Sequence, residues 1–364
     1  MILKHIHIHN VRNITEAKIE FGNHLNILYG ENGSGKTSVL ESIYLLSSGK
    51  SFRNRHITKI IKENKNKLTL FGRLEGADKA TNLGIEKSSS GHKIHINGES
   101  VNQISALALC LPVLVVSQDS HKLLESGPQW RRQFIDWGLF HVKHEFHSIW
   151  SSYRRLLKNR NQALVNKASK TEIEAWNEGL ASYGETYSKL RQEYIKAVLP
   201  YFKEYVKLLL DEDDCDIVYK QGWSKEIVLI DCLNGQYDRD RISGRTAYGP
   251  HRGDLTVILK GKDAKDHVSR GQQKLLVYAL YLAQIAYLKK VTEKETLLLL
   301  DDLGAELDKE HSHKLLVLIS EQFSQVCITT ANLTSLSLGE LQDVRMFHVK
   351  HGTISSDLIN EQIL

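Results

Sequence analysis

HLNILYGENGSGKTSVLESIYLLSSG, residues 24–49, decides how the rest of the chain is read. Residues 24–29 have the apolar run of a buried strand, and residues 37–48 have the apolar content of a helix that Gly49 would stop. Between them Gly30, Glu31, Asn32, Gly33, Ser34, Gly35, Lys36 and Thr37 fit G-x-x-x-x-G-K-[ST], in the strand, loop and helix setting that gives this pattern meaning. Glycines let the backbone curl so that its N–H groups converge on phosphate oxygens, and the positive end of the following helix adds to the attraction. Lys36 is placed to reach the β and γ phosphates of ATP, and Thr37 to offer its hydroxyl to Mg²⁺.

A loop of this kind needs a carboxylate from the end of another strand to hold the magnesium. TLLLLDD, residues 296–302, supplies one in Asp301 after four consecutive leucines. Asp302 falls where many such ATPases carry a glutamate that polarises the attacking water. An aspartate is one methylene shorter, so slow hydrolysis is expected. More than 260 residues separate the two motifs, so a large insertion divides strands that must end up side by side in one sheet.

The early part of the chain reads as strands: HIHIH near the start, LTLFGRL at 68–74, and HKIHINGESV with an Asn97-Gly98 hairpin turn. From about Gln129 to Leu199 the apolar period lengthens to that of helices. Phe146, Ile149, Trp150, Tyr153, Leu156 and Leu157 form one stripe, and Ile173, Trp176, Leu180, Tyr183, Tyr187, Leu190 and Tyr194 form a heptad seam that Pro200 closes. This predicts a short antiparallel helical hairpin. After the acidic DEDDCD at 211–216 come the strand DLTVILKG, a helix over 272–290, the strand TLLLL, a helix near 308–321 and the strand QVCITT. Just before the 272–290 helix, Ser269 and Gly271 form a second cap suited to an anion. The fold class is α/β: a P-loop head of mixed sheets and helices over residues 1–115 and 246–364, with a mostly helical domain inserted at 116–245.

Composition agrees with a globular chain: 364 residues, 41% hydrophobic and 25% charged, with 4 prolines. The longest apolar run, Ala106–Val116, contains Pro112 and is half the length a membrane span needs, and the start of the chain lacks the apolar core of a secretory signal. A cytoplasmic protein with no membrane partner is expected. The four cysteines form no CxxC pair, which argues against a zinc ribbon or a disulfide framework. Net charge is +5, a mild excess that suits a polyanion.

These motifs together resemble a known family, the RecF recombination mediators, short-bodied relatives of the SMC and ABC-type ATPases. The resemblance covers nearly the whole chain. It is carried by NVRN at 10–13, GENGSGKTSVLESIYLLSSGKSFR at 30–53, GPQWRRQFIDW at 127–137, YGPHRGDL at 248–255, SRGQQK at 269–274 and LLLDDLGAELD at 298–308. It implies an ATP-dependent head-to-head homodimer in which Ser269 and Gly271 of one subunit cap the γ-phosphate held by the other's Gly30–Thr37, with Asp308 at the interface. It also implies a role in DNA repair and replication: dimers on single-stranded, gapped or duplex DNA that help load recombinase, support replication restart and SOS induction, and work with RecR and RecO. ATP turnover would be slow and DNA-stimulated. Arg12 resembles a basic residue that related heads place near the nucleotide, and Gln118 a glutamine that links nucleotide to the second lobe, although the family usually has a proline and an acid nearby. Where ABC transporters place a switch histidine, this chain has Thr329, Thr330 and Ala331, so that role stays unassigned.

Two basic stretches could face DNA: Lys50–Lys67, with seven lysines and arginines against Glu63, and Ser151–Lys170, with six and no acid. Such contacts neutralise phosphates without reading bases, so binding would be sequence-independent and salt-sensitive. His5, His7 and His9 alternate on one face of a strand, and His141, His144 and His147 recur every third residue; neither set reads as a metal site, and both read as exposed strand or helix faces. A transporter ATPase subunit would place its two nucleotide motifs closer together, and a mechanical SMC protein would carry hundreds of heptad residues in the middle. A small-molecule kinase would have no use for a cap supplied in trans.

Overall fold

The computed structural model describes residues 1–357 except 55, 77–78, 304–306, 308, 337–340 and 342. The chain forms two compact units, Met1–Ser120 with Glu293–Leu364, and His121–Thr292.

The first unit holds two six-stranded sheets. One is antiparallel, in the order β2 (Ile14–Glu20), β1 (Ile2–Val11), β4 (Lys67–Glu75), β5 (Ala80–Ser88), β6 (Gly91–Ile96), β7 (Glu99–Ser100). Its strands alternate: Leu68, Leu70 and Leu74 of β4 are buried while Lys67, Thr69, Phe71 and Arg73 are exposed, so one face is core and the other solvent. The Asn97-Gly98 turn has positive φ at both residues, as a two-residue hairpin requires. The other sheet runs β15 (Thr353–Asp357), β14 (Val344–Lys350), β3 (Leu25–Tyr29), β13 (Gln325–Thr330), β12 (Leu297–Leu300), β8 (Val113–Val116), parallel except for β15. All four leucines of β12 are buried, the pattern of a parallel strand covered on both faces.

The helix Lys36–Ser48 touches β1, β4 and β5 of the first sheet and β8 and β13 of the second. Val39, Leu40, Ile43, Leu45 and Leu46 are all fully buried, because a helix between two sheets has almost no solvent face. Gly49 adopts φ 64 and donates its N–H to Leu45 O, ending the helix where the sequence places the stop. The strands β3 and β12 share a sheet but are not side by side, since β13 lies between them.

The second unit changes over at 120/121 and 292/293, not at the 115/116 and 245/246 cuts expected from sequence, so residues 246–292 fold with the helical insertion. Pairing explains this. β10 (Asp254–Leu259) pairs antiparallel with β9 (Cys215–Lys220), and in the helix Arg270–Thr292 Gln284 Nε2 donates to Tyr194 Oη at 2.8 Å. Tyr194 also lies over Gly138, where a Cβ would sit 1.9 Å from its hydroxyl.

The helices Phe146–Val165 and Asn177–Leu210 are the expected antiparallel hairpin: Leu156 meets Gly179, Tyr153 meets Gly184, and the Phe146 ring lies 5.7 Å from Tyr187. Two details depart from the sequence reading. The helix runs ten residues past Pro200, which sits on the exposed side where the carbonyl it leaves without a donor meets water. Of the heptad seam, Tyr183 is 40% exposed, and the buried stripe instead recruits Gly184, Ser188 and Arg191. Among the described residues no helix is long and apolar enough to cross a membrane.

Candidate functional site

The ends of β3, β12 and β13 and the start of the helix Lys36–Ser48 surround a cavity of about 480 Å³. The loop at its wall holds left-handed glycines: Gly30 has φ 145, Gly33 φ 79 and Gly35 φ 119. A Cβ on Gly30 would stand 2.2 Å from Val349 O. The loop is fixed from outside by Asn13, whose Nδ2 donates to Ser34 O at 2.9 Å and whose Oδ1 accepts from Ser38 Oγ at 3.1 Å. Gly352 N donates to the same Ser34 oxygen at 2.7 Å.

Inside the cavity Lys36 Nζ donates to Gly30 O at 2.7 Å and Glu31 O at 2.9 Å. Asp301 Oδ1 accepts from Thr37 Oγ1 at 2.9 Å and from Thr329 Oγ1 at 2.8 Å. Thr329 Oγ1 in turn accepts from Asp302 N at 2.8 Å, and Asp302 Oδ2 from Gln118 Nε2 at 3.2 Å. Asp302 itself sits at φ 61. Burial pushes the Lys36 ammonium below its usual pKa, opposed by the charges of Asp302 and Asp301. Burial likewise pushes the Asp301 carboxyl up, against the hydrogen bonds from Thr329 and Thr37 and the charge of Arg53. Both groups are therefore held in their charged forms at a disadvantage that a polyanion with its own cation would relieve.

The donor set fits Mg²⁺, a hard cation that takes oxygen ligands: a hydroxyl and a carboxylate oxygen stand 2.9 Å apart at the cavity wall. The loop fits phosphate too. Ser34 Oγ is buried within it with no hydrogen-bond partner among the described residues.

Residues 2–355 match the model of the RecF/RecN/SMC N-terminal domain. The DNA replication and repair protein RecF of Shewanella loihica is 38% identical over 358 residues, covering 98% of this chain and 99% of its own. The chain belongs to the RecF family. The RecF protein of Shewanella frigidimarina is 39% identical over the same length. The fold agrees: the structure of the recombination mediator protein RecF-ATP in the RecFOR pathway superposes with a TM-score of 0.88 at 25% identity, covering 98% of this chain and 97% of that one. An SMC head from Pyrococcus furiosus superposes at 0.59 with 15% identity, a likeness of fold alone.

Of the residues singled out from sequence, Asn32, Gly33, Gly35, Lys36, Thr37, Asp301, Asp302 and Gln118 line the cavity together. Gly30 and Glu31 contribute carbonyls to Lys36 from the same loop. Arg12 is not among the lining residues. Its guanidinium binds both carboxylate oxygens of Glu41 at 2.8 Å and Lys59 O at 2.7 Å, so the RecF motif NVRN ties the β1–β2 turn to the P-loop helix. Ser269 and Gly271 lie exposed in the second unit at the start of the helix Arg270–Thr292, where Ser269 Oγ accepts from Gln272 N at 3.3 Å. Asp308 lies outside the described residues.

Four members of the site have no role in the sequence reading. Thr329, which the sequence places after a strand without assigning it a function, lines the cavity and bridges both aspartates, and the signal is the interposed strand β13 that ends there. Asn13 stands in the sequence only as part of a motif yet holds the loop, and Phe52 and Arg53, which fall in a basic stretch, line the cavity. That basic reading also loses a member elsewhere: Arg160 is fully buried, bonded to Asp240 Oδ2 at 2.7 Å and Asn177 Oδ1 at 2.7 Å, and cannot meet DNA. Arg55 lies outside the described residues.

The histidine reading needs a correction as well. His7 and His9 do have a carboxylate companion in Glu16, because the β1–β2 hairpin reverses the chain and returns it to the same face.

Proposed function

We propose that this chain is an ATP-binding DNA replication and repair protein that dimerises on DNA when it holds ATP and separates after slow hydrolysis. The cavity carries this reading: a P-loop lysine and a part-buried aspartate, each disfavoured in its charged form, face one space with a hydroxyl that can share a cation.

In the proposed assignment the loop N–H groups and Lys36 bind the β and γ phosphates, and Thr37 with Asp301 holds Mg²⁺. When bound, Mg²⁺ supplies charge neutralisation for the phosphate oxygens. Asp302 orients the attacking water, kept in place by Gln118 Nε2 and by its own N–H to Thr329 Oγ1. The exposed helix start at Ser269 and Gly271 supplies the cap to a second copy, so two chains close around two nucleotides. Exposed basic residues of the two stretches, among them Lys50, Lys59, Arg154, Arg155 and Lys158, bind the DNA backbone without reading sequence. The curated RecF relatives and the RecFOR setting of the RecF-ATP structure support RecR and RecO as partners.

Sedimentation with and without ATP on duplex, single-stranded and gapped DNA measures dimerisation and substrate class together. Ser269→Arg sharpens it. Nucleotide affinity of the monomer is expected to stay within about threefold, under roughly 0.7 kcal/mol, because every group of the binding loop is unchanged. Dimers are expected to vanish. A Ser269→Arg chain mixed with a Lys36→Ala chain regains one composite site with both halves intact. If Ser269→Arg weakens nucleotide binding by the monomer and leaves dimers unchanged, the cap does not act in trans and the dimer reading fails.

A further inference from the structure

His7, His9 and Glu16 converge on the solvent face of the antiparallel sheet, away from the nucleotide motifs in sequence and unused by them. Strand alternation puts His7 and His9 on one face of β1, and the hairpin register sets Glu16 of β2 directly opposite His9 and diagonal to His7. His7 Nε2 lies 3.0 Å from Glu16 Oε1, and His9 Nε2 lies 3.7 Å from Glu16 Oε2. One donor atom from each residue can be chosen so that all three lie within 4.8 Å of one another.

That spacing matches a metal centre. Zinc binds imidazole nitrogen and carboxylate oxygen at about 2.0–2.1 Å in tetrahedral sites, which sets neighbouring donors about 3.3 Å apart. The two histidine–carboxylate distances, 3.0 and 3.7 Å, bracket it, and closing on an ion requires the two imidazole nitrogens, within 4.8 Å of each other, to turn toward the same point. We propose that His7, His9 and Glu16 form a zinc site that staples β1 to β2, with water at the fourth position.

The donor types select the metal. Two imidazoles with one carboxylate suit Zn²⁺ better than Mg²⁺ or Ca²⁺, which take oxygen ligands, and better than Cu⁺, which takes sulfur. Side-chain exposures of 35%, 45% and 51% leave the fourth position open to solvent. His5, on the same face, supplies an internal control, because the carboxylate across from it, Glu20, is bound to Arg345 Nη1 at 3.3 Å.

Calorimetric titration of the full-length protein with zinc sulfate, without nucleotide, tests the site. The expected result is a binding step that weakens at least about tenfold in His7→Ala, His9→Ala and Glu16→Gln and is unchanged in His5→Ala. Zinc is also expected to raise the melting temperature of the parent and of His5→Ala but not of the other three variants, since a ligand that bridges two strands stabilises only the fold that brings them together. Glu16→Gln keeps the shape of an exposed side chain, so it decides the matter even if a histidine variant fails to fold. A parent that binds no zinc, or a binding step that survives intact in Glu16→Gln, overturns the proposal.

Discussion

The nucleotide cavity and the interior of the helical unit both bury a cation, and they treat it in opposite ways. Arg191 is 1% exposed and fully answered: Nε and Nη2 donate to the two Asp136 oxygens at 2.9 Å, Nη1 to Pro250 O at 2.6 Å, and Nη2 also to Tyr187 Oη. Burial alone would depress its pKa, but Asp136, Tyr187 and Tyr219 outweigh that and hold it above the ordinary value. Lys36, also buried, holds two carbonyl oxygens and senses Asp302 and Asp301 as charges, and its pKa falls. A buried charge with a matched counter-charge in contact is structure. A buried charge left at a disadvantage is the part of the fold that a ligand completes.

The comparison breaks first at Arg191. Arg191→Leu leaves the part-buried Asp136 carboxylate beside Tyr187 with no cation, and breaking a buried pair costs up to about 3–5 kcal/mol. All five tryptophans, Trp130, Trp137, Trp150, Trp176 and Trp223, lie in the second unit, so tryptophan fluorescence during urea denaturation reports that unit. A midpoint shifted by less than about 1 kcal/mol would mean that the network carries little of its stability.

Asp301 is the intermediate case, and its effect has the other sign. Its pKa is raised on folding, so the ionised form is disfavoured in the native state; that penalty is complete above the folded pKa and disappears as pH falls below the ordinary carboxylate value. Asn carries no such penalty and still accepts from Thr37 and Thr329. Asp301→Asn is therefore expected to be more stable than the parent at neutral pH, to lose that gain on acidification, and to lose Mg²⁺-dependent nucleotide affinity. Calorimetric melting across pH, with and without magnesium, checks both halves.

The sequence held the parts of the site that are local and hid those that depend on topology. Gly30–Thr37 and Asp301 are contiguous motifs on strands whose apolar runs announce them, and they meet as expected. Thr329 could be named by its place but given no role, because that role arises from β13 lying between β3 and β12, an order no local pattern encodes. Glu16 joined His7 and His9 through a hairpin whose second strand, ITEAKIE, is too polar on its outer face to stand out. In the helical unit, an apolar count passed over Arg191 and Gly184, because a paired charge and a bare backbone can occupy core positions as fully as leucine. The motifs GPQWRRQFIDW and YGPHRGDL were legible as a likeness but not as a contact: Arg131 Nε meets Asp254 Oδ1 at 2.6 Å, and Arg132 Nη1 meets Gly253 O at 3.0 Å, binding one motif to the other.

The smallest expected change in stability belongs to Lys36, and it sharpens the comparison most. Lys36→Met keeps the buried stem and removes the ammonium. Two hydrogen bonds from a charged donor are lost, each contributing about 1.5–3 kcal/mol, while the desolvation of that charge, several kcal/mol per ion, is relieved. The terms oppose one another, so folding stability is expected to move by less than about 0.5 kcal/mol. Nucleotide affinity is expected to fall at least tenfold, about 1.4 kcal/mol, and ATP-driven association to disappear, because the missing charge is the one meant to answer the phosphates. Thermal melting paired with titration of a fluorescent ATP analogue reads the two quantities on one sample. If Lys36→Met loses as much stability as Arg191→Leu, then the lysine is as structural as the arginine, and the distinction between completed and uncompleted charge is wrong for this protein.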